Sequence, residues 1–137
     1  EEKEEQNFQQ YNYRAIISHI TTNMLPKNRR IERSYFDKIM KNSKRYNSTS
    51  FVLYVMKNVD GDGVPTKFSF SVSKKVLKSA VKRNKQRSIG YSVIKNNIKD
   101  IKPGYYCFFV YKKGFYEEFD PINKDILGLL YSSSVIV

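Results

Sequence analysis

The sequence predicts an α+β fold, in which helices pack on a β-sheet. Three observations support this class. Two apolar runs, residues 51–56 and 105–111, have the composition of strands, and residues 67–73 alternate apolar with polar side chains. Other segments repeat apolar residues at helical spacing. The chain has 137 residues, of which 40% are hydrophobic, and this suffices for one domain with its own core.

The first predicted element is a short amphipathic helix from about Ser34 to Lys44. Ser34 and Asp37 have the spacing of a capping box, and apolar residues follow at intervals of three and four. A further short strand near residues 45–49 is compatible with the pattern that follows. The helix therefore precedes the predicted sheet.

Two strands are predicted next, and we expect them to form a hairpin. Residues 51–56 form the first strand and residues 67–73 the second, and Asp60-Gly61-Asp62-Gly63 between them is a turn signal. With Phe68 and its alternate neighbours in the core, the polar side chains of the second strand point to the opposite face. These are Lys67, Ser69, Ser71 and Ser73.

The second half of the chain predicts helix, strand and helix. Ser79 is a suitable N-cap for a helix that continues to Pro103-Gly104, with Gly90 weakening its middle by about 1 kcal/mol relative to alanine. The strand at 105–111 follows. Asp120-Pro121 then predicts a cap and first-turn proline for a last helix, whose apolar positions are Ile122, Ile126, Leu129 and Leu130.

Composition limits the classes of function. The net charge of +12 favours an anionic partner, with nucleic acid ahead of an anionic membrane or an acidic protein. The single cysteine, Cys107, and the single histidine, His19, exclude a disulfide framework and a His/Cys metal centre. No apolar run approaches the roughly 20 residues that span a bilayer. We therefore expect a cytoplasmic protein.

The N-terminal residues differ from the rest. Four of the first five are glutamates, and residues 1–23 sum to −2, which leaves +14 on residues 24–137. Secretory and organelle-targeting peptides carry basic residues at this place. We interpret 1–23 as an acidic N-terminal extension and 24–137 as the functional domain.

The most distinctive feature is a long segment without acidic residues. From Gly63 to Lys99 there are ten lysines and arginines and no aspartate or glutamate. Several of them gather at the start of the predicted second helix, where the helix dipole disfavours cations unless an anion is bound. This placement predicts a phosphate-binding surface. The polar sheet face, with Phe36 and Met40 as an apolar wall, would form a shallow groove suited to single-stranded RNA.

Several linked segments resemble the bacterial ribonuclease P protein component. SVSKK at 71–75 and AVKRNKQR at 80–87 are similar to the family's Lys-Lys pair and Arg-Asn-Arg helix. MLPKNRR at 24–30, the Phe36 helix and FVLYV at 51–55 follow at the family's spacing. The resemblance covers about residues 24–131. It implies a fold like the second domain of small-subunit ribosomal protein five, with helices on a four-stranded sheet and a left-handed βαβ crossover.

The resemblance also implies a function. The protein would be the subunit of ribonuclease P that binds the catalytic RNA and the 5′ leader of precursor tRNA, and that assists Mg²⁺-dependent removal of the leader. Hydrolysis would belong to the RNA, which would bind most of the Mg²⁺. No protein side chain would be catalytic, and no small-molecule substrate or membrane would be involved.

The resemblance implies site residues at the matching positions of this sequence. The residues expected to bind the catalytic RNA are Lys74, Lys75, Lys78, Lys82, Arg83, Asn84, Lys85 and Arg87. Those expected in the leader cleft are Arg29, Phe36, Met40, Tyr54, Lys67, Ser69 and Ser71. Departures from the family pattern are Lys85 in place of arginine, Met40 in place of an aromatic residue, Ser69 in place of a common glycine and Ser88 at a basic position.

Other interpretations fit less well. Asp60 to Gly63 resembles the start of a calcium loop, but Ser71 occupies the position of the required bidentate glutamate. His19 has no nucleophile or paired carboxylate at a persuasive spacing. The main alternative from another class is a structural RNA-binding protein of ribosomal type, which would not distinguish precursor from mature tRNA. A membrane-binding module is disfavoured because no helix combines a basic face with bulky exposed apolar residues.

Overall fold

A computed structural model describes residues 25–113 and 119–136 of the chain. They form a four-stranded sheet and three α-helices, with short 3₁₀ turns between them. The strands are β1 (Lys44–Asn47), β2 (Phe51–Lys57), β3 (Lys67–Ser71) and β4 (Tyr105–Tyr111), and the helices are α1 (Phe36–Asn42), α2 (Ala80–Asn96) and α3 (Phe119–Ser132). The acidic extension predicted at 1–23 lies outside the described residues.

The sheet has the strand order β1-β2-β4-β3. β2 pairs antiparallel with β1 and with β4, whereas β3 pairs parallel with β4. A parallel pair needs a crossover connection, and α2 supplies it between β3 and β4. The predicted α+β class with helices on a four-stranded sheet is confirmed, and the handedness of the crossover stays a prediction.

The predicted hairpin of residues 51–56 and 67–73 is wrong, because β4 lies between β2 and β3. The loop between these strands folds instead over the residue that precedes β4. The amide of Asn58 donates to the Gly104 carbonyl at 2.8 Å, and the Gly104 amide donates to the Val64 carbonyl at 2.8 Å. Gly104 has φ +91°, and a Cβ there would lie 3.0 Å from Asp62 Oδ1. Glycine is thus required where the loop meets β4.

The predicted boundaries of the first and last helices also need correction. Ser34 does not cap the first helix, since it lies inside a 3₁₀ turn at Arg33–Tyr35 and α1 begins at Phe36 without a side-chain cap hydrogen bond. Lys44 belongs to β1 and not to the helix. At the other end of the chain, α3 begins at Phe119, so that Asp120 lies in its first turn rather than at its cap.

The second helix starts where the sequence predicted. The Ser79 hydroxyl accepts a hydrogen bond from the Lys82 amide at 3.3 Å, as an N-cap does. The helix ends at Asn96, well before Pro103, and a 3₁₀ turn at Ile98–Asp100 follows. Asn97 closes the helix, and its side chain donates to the Val93 carbonyl at 2.8 Å.

The main core lies between one face of the sheet and helices α2 and α3. Phe68 and Phe70 of β3 are buried, as the alternation predicted, and so are all four apolar positions predicted for α3. The Phe70 ring stacks on Phe109 with centroids 4.8 Å apart. Aromatic residues of β3 and β4 therefore form part of the core between the sheet and the helices.

The other face of the sheet is covered only in part, by α1. Ile39 of α1 packs with Ile31 and Tyr106 in a small second core. The segment before α1 also follows the β3 edge, because the Ile31 amide donates to the Phe68 carbonyl at 3.1 Å. This arrangement leaves the polar side of β3 partly exposed.

Candidate nucleic-acid interface

The first candidate surface is basic and comprises the β3–α2 loop together with the first two turns of α2. Lys74, Lys75 and Lys78 are exposed on the loop, and Lys82 is exposed on the helix. The first turn of α2 contains no acidic residue. Because the amides of the first helical turn lack partners within the helix, this end of α2 favours an anion. We call this surface the basic entrance.

Arg83 is held differently from the lysines of the basic entrance. Its Nη1 donates to the Leu77 carbonyl and to the Lys78 carbonyl, each at 2.8 Å. The side chain is half-buried, whereas Lys78 itself is exposed. The guanidinium therefore lies against the backbone of the loop that leads into α2.

The remaining predicted residues of this surface lie on the next turn. Arg87 Nη2 donates to Asn84 Oδ1 at 3.0 Å, which orients the two side chains together on the helix. Lys85 is half-buried beside them. The residues assigned to catalytic-RNA binding thus lie close together in the chain, on the β3–α2 loop and the first two turns of α2, but they project from several sides of the helix.

The second candidate surface lies on the sheet face that α1 covers in part. Phe108 of β4 is at its centre, with Phe36 of α1 at a centroid distance of 4.9 Å and Tyr54 of β2 at 6.0 Å. The rings of Phe36, Tyr54 and Phe108 are all half-buried, so each keeps an accessible part. We call this surface the aromatic groove. Partly exposed rings of this kind provide stacking faces for nucleic-acid bases.

Strand register adds polar groups on both sides of the rings. Phe108 is paired with Tyr54 on β2 and with Ser69 on β3, and Tyr54 is paired with Arg45 on β1. Paired residues point to the same face, so Arg45, Tyr54, Phe108 and Ser69 form a row across the sheet. The row spans three strand spacings, or about 14 Å.

The other residues assigned to the groove take different positions. Lys67 and Ser71 flank Ser69 on the same half-buried face of β3, as predicted. Arg29 is half-buried in the 3₁₀ turn that precedes the contact of Arg30 with β3. Met40 is 51% exposed and is not among the described side chains that pack against this face of the sheet.

Sequence reasoning missed Phe108 and Arg45. Phe108 lies in an apolar run whose residues look equally suited to the core, and only the pairing of β4 shows which of them face the groove. In the structure Phe108 alternates with Cys107 and Phe109, both of which are fully buried, but the run itself has no alternation of polar and apolar residues that would show this. Arg45 belongs to a strand that was expected only as an extra element.

One end of the groove carries a tyrosine pair. The Tyr35 and Tyr106 rings stack with centroids 5.3 Å apart, and Tyr106 is in register with Lys67. Burial, followed by the neighbouring Tyr35, raises the pKa of Tyr106 above its ordinary value. The phenol therefore stays neutral at physiological pH and remains a hydrogen-bond donor.

In the ranges 25–113 and 119–136, no three His, Cys, Asp or Glu side chains come together as a metal site would require. No helix in the same ranges has the length and apolar character needed to cross a bilayer.

Comparison with solved structures shows a shared fold. The RNase P protein of Staphylococcus aureus superposes with a TM-score of 0.69 at 22% identity, and the match covers 80% of this chain and 98% of that one. The RNase P protein from Thermotoga maritima gives a TM-score of 0.66 at 23% identity, with 75% and 96% covered. A search of curated protein sequences finds no match.

The family model described as Ribonuclease P matches residues 25–132. This range contains the sheet, all three helices, the basic entrance and the aromatic groove. The match covers most of the sequence and agrees with the shared fold, and we conclude that the chain belongs to the ribonuclease P protein family.

Proposed function

We propose that this protein acts within the ribonuclease P complex by binding two RNA elements on two different surfaces. The basic entrance binds the phosphates of the catalytic RNA, and the aromatic groove binds the single-stranded 5′ leader of precursor tRNA. The observation that carries the proposal is the row of Arg45, Tyr54, Phe108 and Ser69, which crosses an open sheet face beside a basic helix start.

The basic entrance is suited to folded RNA. Its lysines neutralise phosphates without reading sequence, and the exposed amides of the α2 start add to the same attraction. Binding of this kind releases counter-ions, so affinity for RNA should fall steeply as salt increases. A flat dependence on salt would exclude this role.

The aromatic groove is suited to a short unpaired strand. The half-exposed rings of Tyr54 and Phe108 would stack on bases, and Arg45 at the β1 end would contact a phosphate. The 14 Å row has room for about four nucleotides at the 3.4 Å spacing of a stacked strand. A mature tRNA lacks the leader, so the groove would distinguish substrate from product.

In this proposal the RNA, not the protein, carries out hydrolysis. The Mg²⁺ ions that the reaction needs would be bound mainly by the catalytic RNA, where they would activate water and stabilise the leaving oxygen. The protein's side chains would hold the leader and the RNA in place. Purified protein alone should therefore leave precursor tRNA intact.

The test compares precursor tRNA with a leader of about five nucleotides and the same tRNA without a leader. Both are bound to the complex of this protein with the ribonuclease P RNA of the source organism, in calcium to suppress cleavage. We expect tighter binding of the precursor, and we expect the preference to disappear with the RNA subunit alone. Equal affinities in the complex would contradict the leader-binding role and favour a structural RNA-binding protein.

A further inference from the structure

Arg83 hydrogen-bonds to the backbone of the loop that carries three lysines of the basic entrance. One nitrogen, Nη1, donates to two consecutive backbone carbonyls, those of Leu77 and Lys78, at 2.8 Å each. A guanidinium Nη carries two hydrogens, so both are used in this contact. The backbone it holds belongs to the loop and not to the helix.

The loop is fixed at its other end by Ser73. The amides of Val76 and Leu77 both donate to the Ser73 carbonyl at 3.1 Å, and the Val76 amide also reaches the Ser73 hydroxyl at 3.3 Å. Ser79 then caps the helix. Between these two anchors, the contact from Arg83 is what ties the carbonyls of Leu77 and Lys78 to α2.

This loop carries the exposed lysines of the basic entrance. Lys74 and Lys75 lie just after Ser73, and Lys78 lies at one of the two carbonyls that Arg83 holds. The positions of these lysine side chains relative to the α2 amides therefore depend on the conformation of the loop. A loop released from α2 would spread the same charges over many arrangements, and binding would carry the entropic cost of ordering them.

We propose that Arg83 is a positioning residue, which holds the loop against α2 so that Lys74, Lys75 and Lys78 present their charges together to RNA. The inference rests on the proposed RNA binding by the basic entrance, but it assigns Arg83 a role other than a single phosphate contact. Its charge is secondary to the two hydrogen bonds of Nη1.

Lysine at position 83 would keep the charge but not the geometry. A guanidinium is planar and fixes two hydrogens in a defined fork, whereas an ammonium on a flexible stem has no such fork. Arg83→Lys therefore distinguishes two roles. If Arg83 only contacts a phosphate, the lysine variant should keep most of the affinity for RNA. If Arg83 positions the loop, the affinity should fall.

The test measures affinity for the in vitro transcribed ribonuclease P RNA as a function of salt, for the full chain and for Arg83→Lys, Arg83→Gln and Lys78→Gln. One lost phosphate contact lowers the slope of log affinity against log salt by about 0.7–0.9. We expect that loss for Lys78→Gln. For both Arg83 variants we expect a larger loss of slope and a fall in affinity of about tenfold or more, because the released loop no longer presents Lys74, Lys75 and Lys78 together.

Thermal unfolding of each variant shows whether it is folded. A partly unfolded sample would lower the fraction of active protein but would not change the slope of log affinity against log salt. Amide hydrogen exchange should become faster at Val76 and Leu77 and stay unchanged in the α2 core at Val93. If Arg83→Lys binds with the slope and affinity of the unmodified chain, the positioning role is wrong. If the unmodified chain itself fails to bind the RNA, the proposed function fails instead.

Discussion

Gly90 of α2 lies so close to the ring of Phe70 in β3 that a Cβ at this position would come within 2.5 Å of two ring carbons. The ring has no room to withdraw, because Phe109 stacks on it and Tyr91 contacts it edge-on at 5.1 Å. Glycine lowers the intrinsic stability of the helix, but because it has no Cβ it allows α2 to approach the sheet.

Gly90→Ala should therefore destabilise the protein, by about 1–3 kcal/mol, despite the higher helix propensity of alanine. Gly128 in α3 is the matched control, since it is exposed and a Cβ there would meet nothing within 4 Å. Gly128→Ala should raise the free energy of unfolding by up to about 1 kcal/mol. Urea denaturation measures both. Equal effects of the two substitutions would contradict the close approach.

Asp125 joins α3 to the turn between β1 and β2. Its Oδ2 accepts hydrogen bonds from the Ser48 hydroxyl at 2.9 Å and from the Ser50 amide at 3.0 Å. Asp125→Ala leaves both donors without this acceptor and should cost about 1–3 kcal/mol of stability. The exposed neighbour Lys124 provides the control, and Lys124→Ala should change stability by less than about 0.5 kcal/mol.

Phe108 should determine how well the protein distinguishes precursor from mature tRNA. Phe108→Ala removes the central ring of the aromatic groove and should weaken precursor binding by about 1–3 kcal/mol, the usual value of one base stacked on an aromatic ring. Phe108→Tyr keeps the ring and should retain most of the affinity. Binding of mature tRNA serves as the internal control, because a loss shared by both RNAs would indicate a folding defect and not a lost stacking contact.

Cys107 should make stability depend on alkaline pH. Burial raises the pKa of its thiol above the ordinary value near 9. Above pH 9 the unfolded chain releases this proton while the folded chain keeps it, so the unfolded state binds fewer protons and stability falls as pH rises. This one group lowers the free energy of unfolding by an amount that approaches about 1.4 kcal/mol for each pH unit.

Urea denaturation between pH 8 and 10.5 checks this expectation for the unmodified chain and for Cys107→Ala. The substitution should lower stability at pH 8, because it leaves a small cavity, and it should make the decline above pH 9 shallower. Parallel curves would show that the thiol does not contribute. The raised pKa of Tyr106 acts in the same direction in both proteins and cancels in the comparison.

The sequence predicted the elements of the fold better than their pairing. Apolar runs and helical spacing located β2, β4, α2 and α3, because these patterns depend on local contacts. The turn signal at Asp60-Gly61 was correctly recognised as a break between strands, but a break does not determine which strand pairs with which. The insertion of β4 between β2 and β3 depends on contacts distant in sequence, and no local pattern reports them.

The candidate site shows the same contrast between local patterns and contacts that are distant in sequence. A run without acidic residues predicted the basic entrance, because its residues are neighbours in sequence. The groove combines α1 with all four strands, so Phe108 and Arg45 became visible only through register. The role of Gly90 was equally hidden, since propensity describes the helix alone and not the ring beneath it.

The central position of β4 also has a consequence for how the chain is made. β3 pairs with β4 alone among the four strands, and β2 has one edge open until β4 arrives. During synthesis at about 5–20 residues per second, the first hundred residues therefore leave the ribosome with unsatisfied strand edges. A chain that ends before Tyr111 lacks the complete β4, so it should expose the unpaired edges of β2 and β3 and aggregate rather than fold as a smaller domain.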